Sequence, residues 1–250
     1  MFRIRHSLAH VSPASRPGIL AAVLDALPEQ MRDPGTRKLV RDAMSKAHIP
    51  GIVCRPTGPC PDGGGQLGFS FPFRHGAERV RAAVPVRRGQ VSAFFTPWEV
   101  MDRALILGPN LHPALPEIAR AGALAGVEIG LIGSAALQTV TGLPYLRPES
   151  DLDLVVRAES LRALDQLATM LATLAKRRGL AVDTEVALPG GIGVKLTELL
   201  SGAPTVLGKT ITGVELIERA RLIPLFAAPP PARPDPQHPI KQPERKRQWM

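Results

Sequence analysis

The chain has 250 residues, 44% apolar and 21% charged, the composition of an ordinary globular protein with room for one or two domains and a sizeable core. Its 31 basic and 22 acidic residues leave a net charge of +9, which points to an anionic partner: nucleic acid, a polyphosphate or an acidic protein. No apolar run approaches the roughly 18 residues that a membrane span needs, and the start MFRIRHSLAH lacks the apolar core of a signal peptide. A cytoplasmic protein without a membrane partner is therefore expected. Cys54 and Cys60 fit no zinc spacing and form no disulfide framework, so both are expected as reduced thiols.

In chain order, residues 1–16 carry little periodic apolar pattern and are expected to run over the surface. Leu20, Val23, Leu24 and Leu27 recur at helical spacing, so Pro17 to Leu27 reads as a helix that starts with a proline and ends before Pro28. His48 to Arg55 reads as a strand and the Gly/Pro-rich Pro56 to Gly65 as a flexible loop. Gln66 to Phe73 alternates as a half-buried strand, with Pro72 arguing for the edge of a sheet. Arg74 to Arg88 is a basic patch that includes Arg74, Arg79 and Arg81. Thr96, Pro97 and Glu99 spell a helix start with a capping box, so Thr96 to Leu107 is a helix; His112 to Leu124 is a second. Glu159 to Arg178 is a clear amphipathic helix with a leucine stripe, cations in its last turn and Gly179 as its stop. Leu180 to Leu188 reads as a strand, Thr205 to Lys209 as a short strand and Glu215 to Arg221 as a helical turn. Residues 228–250 are dominated by proline and charge and read as a disordered tail. The domain division expected is 1–94, an α+β substrate- or carrier-binding unit; 95–227, the catalytic unit; and the tail.

The informative stretch is Val127 to Val156, VEIGLIGSAALQTVTGLPYLRPESDLDLVV. An apolar strand ends in Gly133-Ser134, a small-residue helix follows, and a second strand carries Asp151 and Asp153. A glycine at a strand-to-helix turn lets backbone approach a ligand, and the free N–H groups of the helix with the Ser134 hydroxyl can bind phosphate. A Gly-Ser pair alone is ordinarily just a turn with a serine cap. Two aspartates two apart on one strand face one side, and their repulsion is relieved by a divalent cation. The bland alternative is a solvated strand end, but the apolar neighbours Leu152, Leu154, Val155 and Val156 argue for burial. Asp183 and Glu185, on one face of a later strand, offer the third carboxylate that phosphoryl transfer with two metal ions commonly uses. Lys209 is either a phosphate clamp or a solvated lysine. Arg147 and Ser150 flank the aspartates, and Ser150 either orients a carboxylate or caps a local turn. His6, His10 and His112 show no metal spacing and are expected on the surface.

Gly-Ser, a D-x-D on the next strand and an acid on a following strand together resemble the nucleotidyltransferase superfamily. Gly133-Ser134, Gln138, Thr141-Gly142-Leu143-Pro144-Tyr145-Leu146 and Ser150-Asp151-Leu152-Asp153-Leu154 resemble, more narrowly, the phosphoribosyl-dephospho-CoA transferases that serve malonate decarboxylase. Asp183, Glu185 and Lys209-Thr210 also look similar, whereas Leu137 stands where that family tends to carry an aromatic residue. The resemblance implies an α/β (α+β) fold: a polymerase-beta-like mixed sheet with flanking helices and a smaller N-terminal α+β domain. It implies transfer of the prosthetic group from 2′-(5″-triphosphoribosyl)-3′-dephospho-CoA to a serine of the apo acyl carrier protein subunit, with release of pyrophosphate. It also implies two Mg2+ ions, with Mn2+ as a substitute. Asp151, Asp153 and Glu185 are the expected metal ligands, and Asp183 the alternative third. Gly133, Ser134, Arg147, Ser150, Lys209, Arg74, Arg79 and Arg81 are the expected phosphate- or substrate-binding residues, the arginines facing the carrier or the CoA phosphates. A nucleotidyltransferase that uses an ordinary nucleoside triphosphate is one alternative. A non-catalytic nucleic-acid-binding or scaffold protein is another, disfavoured by only 4% aromatic residues.

Overall fold

The computed structural model describes residues 2–226; the expected tail at 228–250 lies outside them. The fold is mixed α/β, built on two sheets.

The first sheet has the order β4-β3-β2-β1-β5, all neighbours antiparallel. Its strands are β1 (Leu8–Val11), β2 (Gly51–Cys54), β3 (Gly65–His75), β4 (Glu78–Val86) and β5 (Val91–Phe95). Helices α1 (Arg16–Asp25) and α2 (Pro34–Ser45) contribute Val23, Leu24, Val40 and Met44 to one core with Val53, Leu67, Phe69, Val80 and Val84. The alternation in β3 and β4 fixes this layering: every second side chain meets the helices, and those between them face the other way.

The second sheet has the order β11-β10-β9-β8-β7-β6. It is made of β6 (Glu128–Leu131), β7 (Leu152–Arg157), β8 (Val182–Leu188), β9 (Ile192–Lys195), β10 (Thr205–Lys209) and β11 (Val214–Glu218). Only β7 and β8 pair in parallel, and the helix α6 (Leu161–Arg178) makes the crossover such a pair requires. Helices α3 (Pro97–Leu107), α4 (Leu115–Ala125), α5 (Gly133–Thr141), α7 (Leu196–Leu200) and α8 (Arg219–Leu222) complete this unit. Its core joins Leu131, Leu152, Leu154 and Val156 to Val100, Ile118, Leu164, Leu167 and Leu171. Helix α3 begins as its sequence predicts: the Thr96 hydroxyl accepts from the Glu99 N–H, while the Glu99 carboxylate accepts from the Thr96 N–H at 2.7 Å. Likewise Ser160 caps α6 and Gly179 ends it in the left-handed region.

Four expectations about the strands fail. The first residues do not run over the surface: Leu8 and Ala9 are buried in β1, between β2 and β5. Strand β3 is not an edge strand but pairs on both sides; Pro72 is accommodated where the β3–β4 ladder is interrupted between Ser70 and Arg74. Residues 214–218 pair with β10 as a strand, so only Arg219–Leu222 of the expected helical turn is helical. Asp151 precedes β7 rather than lying in it.

Candidate active site

The Gly133-Ser134 turn is shaped by Asp153. Gly133 has φ +66°, and a Cβ placed on it would lie 2.0 Å from Asp153 Oδ2, so only glycine lets this carboxylate sit against the turn. The Ile132 N–H donates to the Asp153 carbonyl at 3.1 Å, which ties the end of β6 to β7. Ile132, not Ser134, is the helix cap residue, and its side chain makes no capping bond. Among the described residues nothing hydrogen-bonds the Ser134 hydroxyl. It lines the adjoining cleft beside the α5 N-terminus, whose first N–H groups have no partner within the helix.

Asp153 stands opposite Asp183 on the parallel β7–β8 ladder, so both carboxylates leave the same face. Burial raises the Asp153 carboxyl above its ordinary value; the charges of Asp183 and Asp151 add to this, and His6 and Arg81 oppose it. Asp183 is more exposed and pairs with Lys195 Nζ at 3.1 Å. Asp151 is exposed on the turn before β7 and lines the cleft with Asp153.

Glu185 is placed differently. It lies two residues further along β8, opposite Val155. Arg5 Nη1 and Nη2 donate to its two oxygens at 2.9 and 3.1 Å, and His6 Nε2 lies 3.2 Å from Oε1. The same Arg5 also donates to the Lys209 carbonyl at 3.0 Å. Burial works against the charged carboxylate, but the His6 hydrogen bond and the charges of His6 and Arg5 outweigh it and hold the group below its ordinary range. A Cβ on Gly193 would lie 2.1 Å from Glu185 Oε1 and 2.4 Å from Arg5 Nη1, so a side chain there would push this pair aside. Glu185 thus joins the N-terminal segment to the second sheet. His6, expected on the surface, is half-buried, with a left-handed φ of 65° that is uncommon for a residue with a side chain.

Between the two sheets runs a cleft of two lobes that share Arg79, Arg81, Ser134 and Asp153. The charged lobe, about 530 Å³, adds Arg74, Arg147, Ser150 and Asp151, with Glu78 and Glu149 at its rim. The other lobe, about 500 Å³, is mostly apolar. Arg79 is fixed: its Nη2 donates to the Tyr145 carbonyl at 3.1 Å and its guanidinium lies 5.7 Å from the Tyr145 ring centre. Burial, then Arg81 and Arg74, lower its affinity for its proton. Arg74 folds back on the β3–β4 turn and donates to the Ala77 carbonyl. Ser150 caps a local turn, its hydroxyl accepting from the Arg147 N–H at 2.9 Å. Lys209 lies on β10, opposite Gly193, and lines neither lobe.

The residues between Ser134 and Asp151 act as a brace. Gly142 ends α5 in the left-handed region, and Gln138 Oε1 accepts from the Leu146 N–H at 2.9 Å. The loop so held buries Tyr145, whose hydroxyl donates to the Ser70 carbonyl at 2.9 Å, where the β3–β4 ladder is interrupted. Burial pushes the Tyr145 phenol above its ordinary value, which keeps it a donor. Periodicity carries no sign of this brace; its sequence signals are the chain's one tyrosine in a Gly/Pro loop and the Gln138 and Thr141 to Leu146 resemblance.

The cleft therefore gathers guanidinium groups at one end and carboxylates beside a glycine turn. Family models described as the N-terminal and C-terminal domains of phosphoribosyl-dephospho-CoA transferase MdcG match residues 4–97 and 99–220. A phosphoribosyl-dephospho-CoA transferase of Xanthomonas euvesicatoria pv. vesicatoria is 32% identical over 78% of this chain and 90% of its own length. One from Xanthomonas campestris pv. campestris is 30% identical over 79% and 91%, and one from Bradyrhizobium diazoefficiens 28% over 88% and 92%. No solved structure matches. The chain belongs to the phosphoribosyl-dephospho-CoA transferase family.

Proposed function

We propose that the chain moves the phosphoribosyl-dephospho-CoA group from triphosphoribosyl-dephospho-CoA to a serine hydroxyl of the malonate decarboxylase acyl carrier protein, releasing pyrophosphate. The observation that carries this reading is the position of Asp153. Its carboxylate is seated against the Gly133-Ser134 turn, where the guanidinium-lined lobe meets the helix N-terminus. A triphosphate entering that lobe meets Arg79 and Arg81 from β4 and Arg147 from the turn before β7. Ser134 and the N–H groups at the start of α5 receive the oxygens of the departing pyrophosphate. The serine oxygen forms the new bond to phosphorus, the bond to pyrophosphate breaks, and the hydroxyl proton passes to Asp183, which lies beside Asp153. Glu185 is engaged by Arg5 and His6 and takes no part in this exchange.

Among the described residues no three acidic, imidazole or thiol side chains enclose an ion by themselves. The donor set nevertheless suits Mg2+ or Mn2+. Mg2+ takes one or two carboxylates and completes its shell with substrate phosphates and water, and the mutual repulsion of Asp151, Asp153 and Asp183 favours a cation among them. Asp151 and Asp153 would hold it. When bound it neutralises the phosphates and lowers the pKa of the attacking hydroxyl. We read the second sheet with α5 and α6 as the nucleotidyltransferase fold, and residues 1–94 as the unit that receives substrate and carrier. Among the described residues no helix is long and apolar enough to cross a membrane; a cytoplasmic enzyme is part of this proposal.

The test is a comparison of donors. Purified chain is given apo-carrier with labelled triphosphoribosyl-dephospho-CoA or with ATP. The proposal expects labelled carrier from the first alone. Label from ATP alone would replace it with a conventional nucleotidyltransferase.

A further inference from the structure

The apolar lobe of the cleft is not needed to hold a triphosphate. Its floor is formed by β2, β3 and β4 of the first sheet, and its lining includes Ala26 and Pro28, just after α1. Ile52, Gly68 and Ala83 stand side by side across β2, β3 and β4 there, with Cys54 next along β2. Leu137, one turn into α5, also lines it. A Cβ on Gly68 would touch little besides Cys54 Sγ, at 3.4 Å, so this floor is open to the cleft. The volume of about 500 Å³ lies within the roughly 300–1,000 Å³ range of small-ligand pockets. The lobe is continuous with the charged one through Arg79, Arg81, Ser134 and Asp153. Whatever fills it is therefore joined closely to the reacting phosphate.

We propose that this lobe is the adenosine subsite: it takes the purine base of the donor against the Gly68–Ala83 floor and Leu137. The inference rests on the donor proposed above. In that molecule the triphosphate is joined through one ribose to the 2′ oxygen of the adenosine, so the base is the apolar group nearest the reacting phosphorus. The pantetheine arm lies beyond the 5′ diphosphate and is directed out of the cleft. A planar, weakly polar ring suits a flat strand face and a leucine, and the phosphates on either side of it suit Arg79 and Arg81 at the shared end.

Two measurements test this. The first uses Cys54 as a reporter in a Cys60→Ser background, following its alkylation by N-ethylmaleimide. S-methylated dephospho-CoA and AMP, neither of which has a thiol to consume the reagent, should each slow the reaction at least fivefold, while pantothenate leaves it unchanged. Protection by pantothenate without protection by AMP, or no protection by either nucleotide, overturns the subsite. The second is Ala83→Phe, which fills the lobe from an exposed strand position. The KM for triphosphoribosyl-dephospho-CoA should rise at least tenfold, while inhibition by inorganic tripolyphosphate is unchanged. An unchanged KM overturns the inference, as does an equal loss of tripolyphosphate inhibition. Turnover by the unaltered protein decides the functional reading separately: if that holds while AMP gives no protection, only the subsite falls.

Discussion

Replacing Arg5 with alanine tests the structural role that Glu185 takes. The substitution removes two charge-assisted hydrogen bonds to Glu185 and one to the Lys209 carbonyl. Side-chain exposures of 17% for Arg5 and 13% for Glu185 mean that water replaces these bonds poorly. Breaking a buried ion pair from one side costs about 3–5 kcal/mol, and a charged hydrogen bond about 1.5–3 kcal/mol. The residual exposure and the remaining His6 contact bring the expected loss to about 3 kcal/mol. Chemical denaturation should show a lower midpoint at an unchanged slope. The sign of its pH dependence follows from the lowered Glu185 carboxyl. The clamp contributes fully above the unfolded value of about 4.3 and is lost as pH falls through the lower folded value. The gap between the two proteins should therefore narrow below about pH 4. A loss under about 0.5 kcal/mol, the level of an exposed pair, or a gap that widens in acid would refute the reasoning.

Gly133→Ala should cost about 1–2 kcal/mol of stability for the left-handed backbone and abolish transfer, because its methyl displaces the Asp153 carboxylate; denaturation and turnover measured together check this, and full turnover would contradict it. Tyr145→Phe should cost about 1–2 kcal/mol, since the Ser70 carbonyl loses its donor at the interrupted ladder; a midpoint equal to wild type would show that the brace is idle.

The parts of this molecule legible in its sequence are those whose signals are local. The Thr96–Glu99 capping box, the leucine stripe of α6 with its glycine stop, and the placement of two acidic segments on β7 and β8 all rest on neighbours within a few residues. What escaped depends on distant partners. Leu8–Val11 is too short, and interrupted by His10, to announce a strand; it becomes one because β2 and β5 flank it. In β4 the alternating Val80, Ala82, Val84 and Val86 were hidden by Arg81 among them and by Arg79, Arg87 and Arg88 on either side, which read as a basic patch. Helix α2 is an exception: its Asp33 cap, Pro34 and the helical spacing of Thr36, Val40, Ala43 and Met44 are local signals that the expected elements omit. Periodicity made Asp183 and Glu185 equivalent. Arg5, 180 positions away, pairs with one and Lys195 with the other, and no local pattern carries that distinction.

In the proposed reaction Asp153, seated against Gly133-Ser134, serves transfer to a carrier serine. The intact mass of apo-carrier after incubation with triphosphoribosyl-dephospho-CoA measures this directly, with Asp153→Asn alongside. The account predicts one added phosphoribosyl-dephospho-CoA group per carrier, one pyrophosphate released, and a rate lower by about a hundredfold or more in the variant, the upper end of what even indirect partners of a metal site cost. An unmodified carrier, or a variant as fast as the unaltered protein, would contradict it.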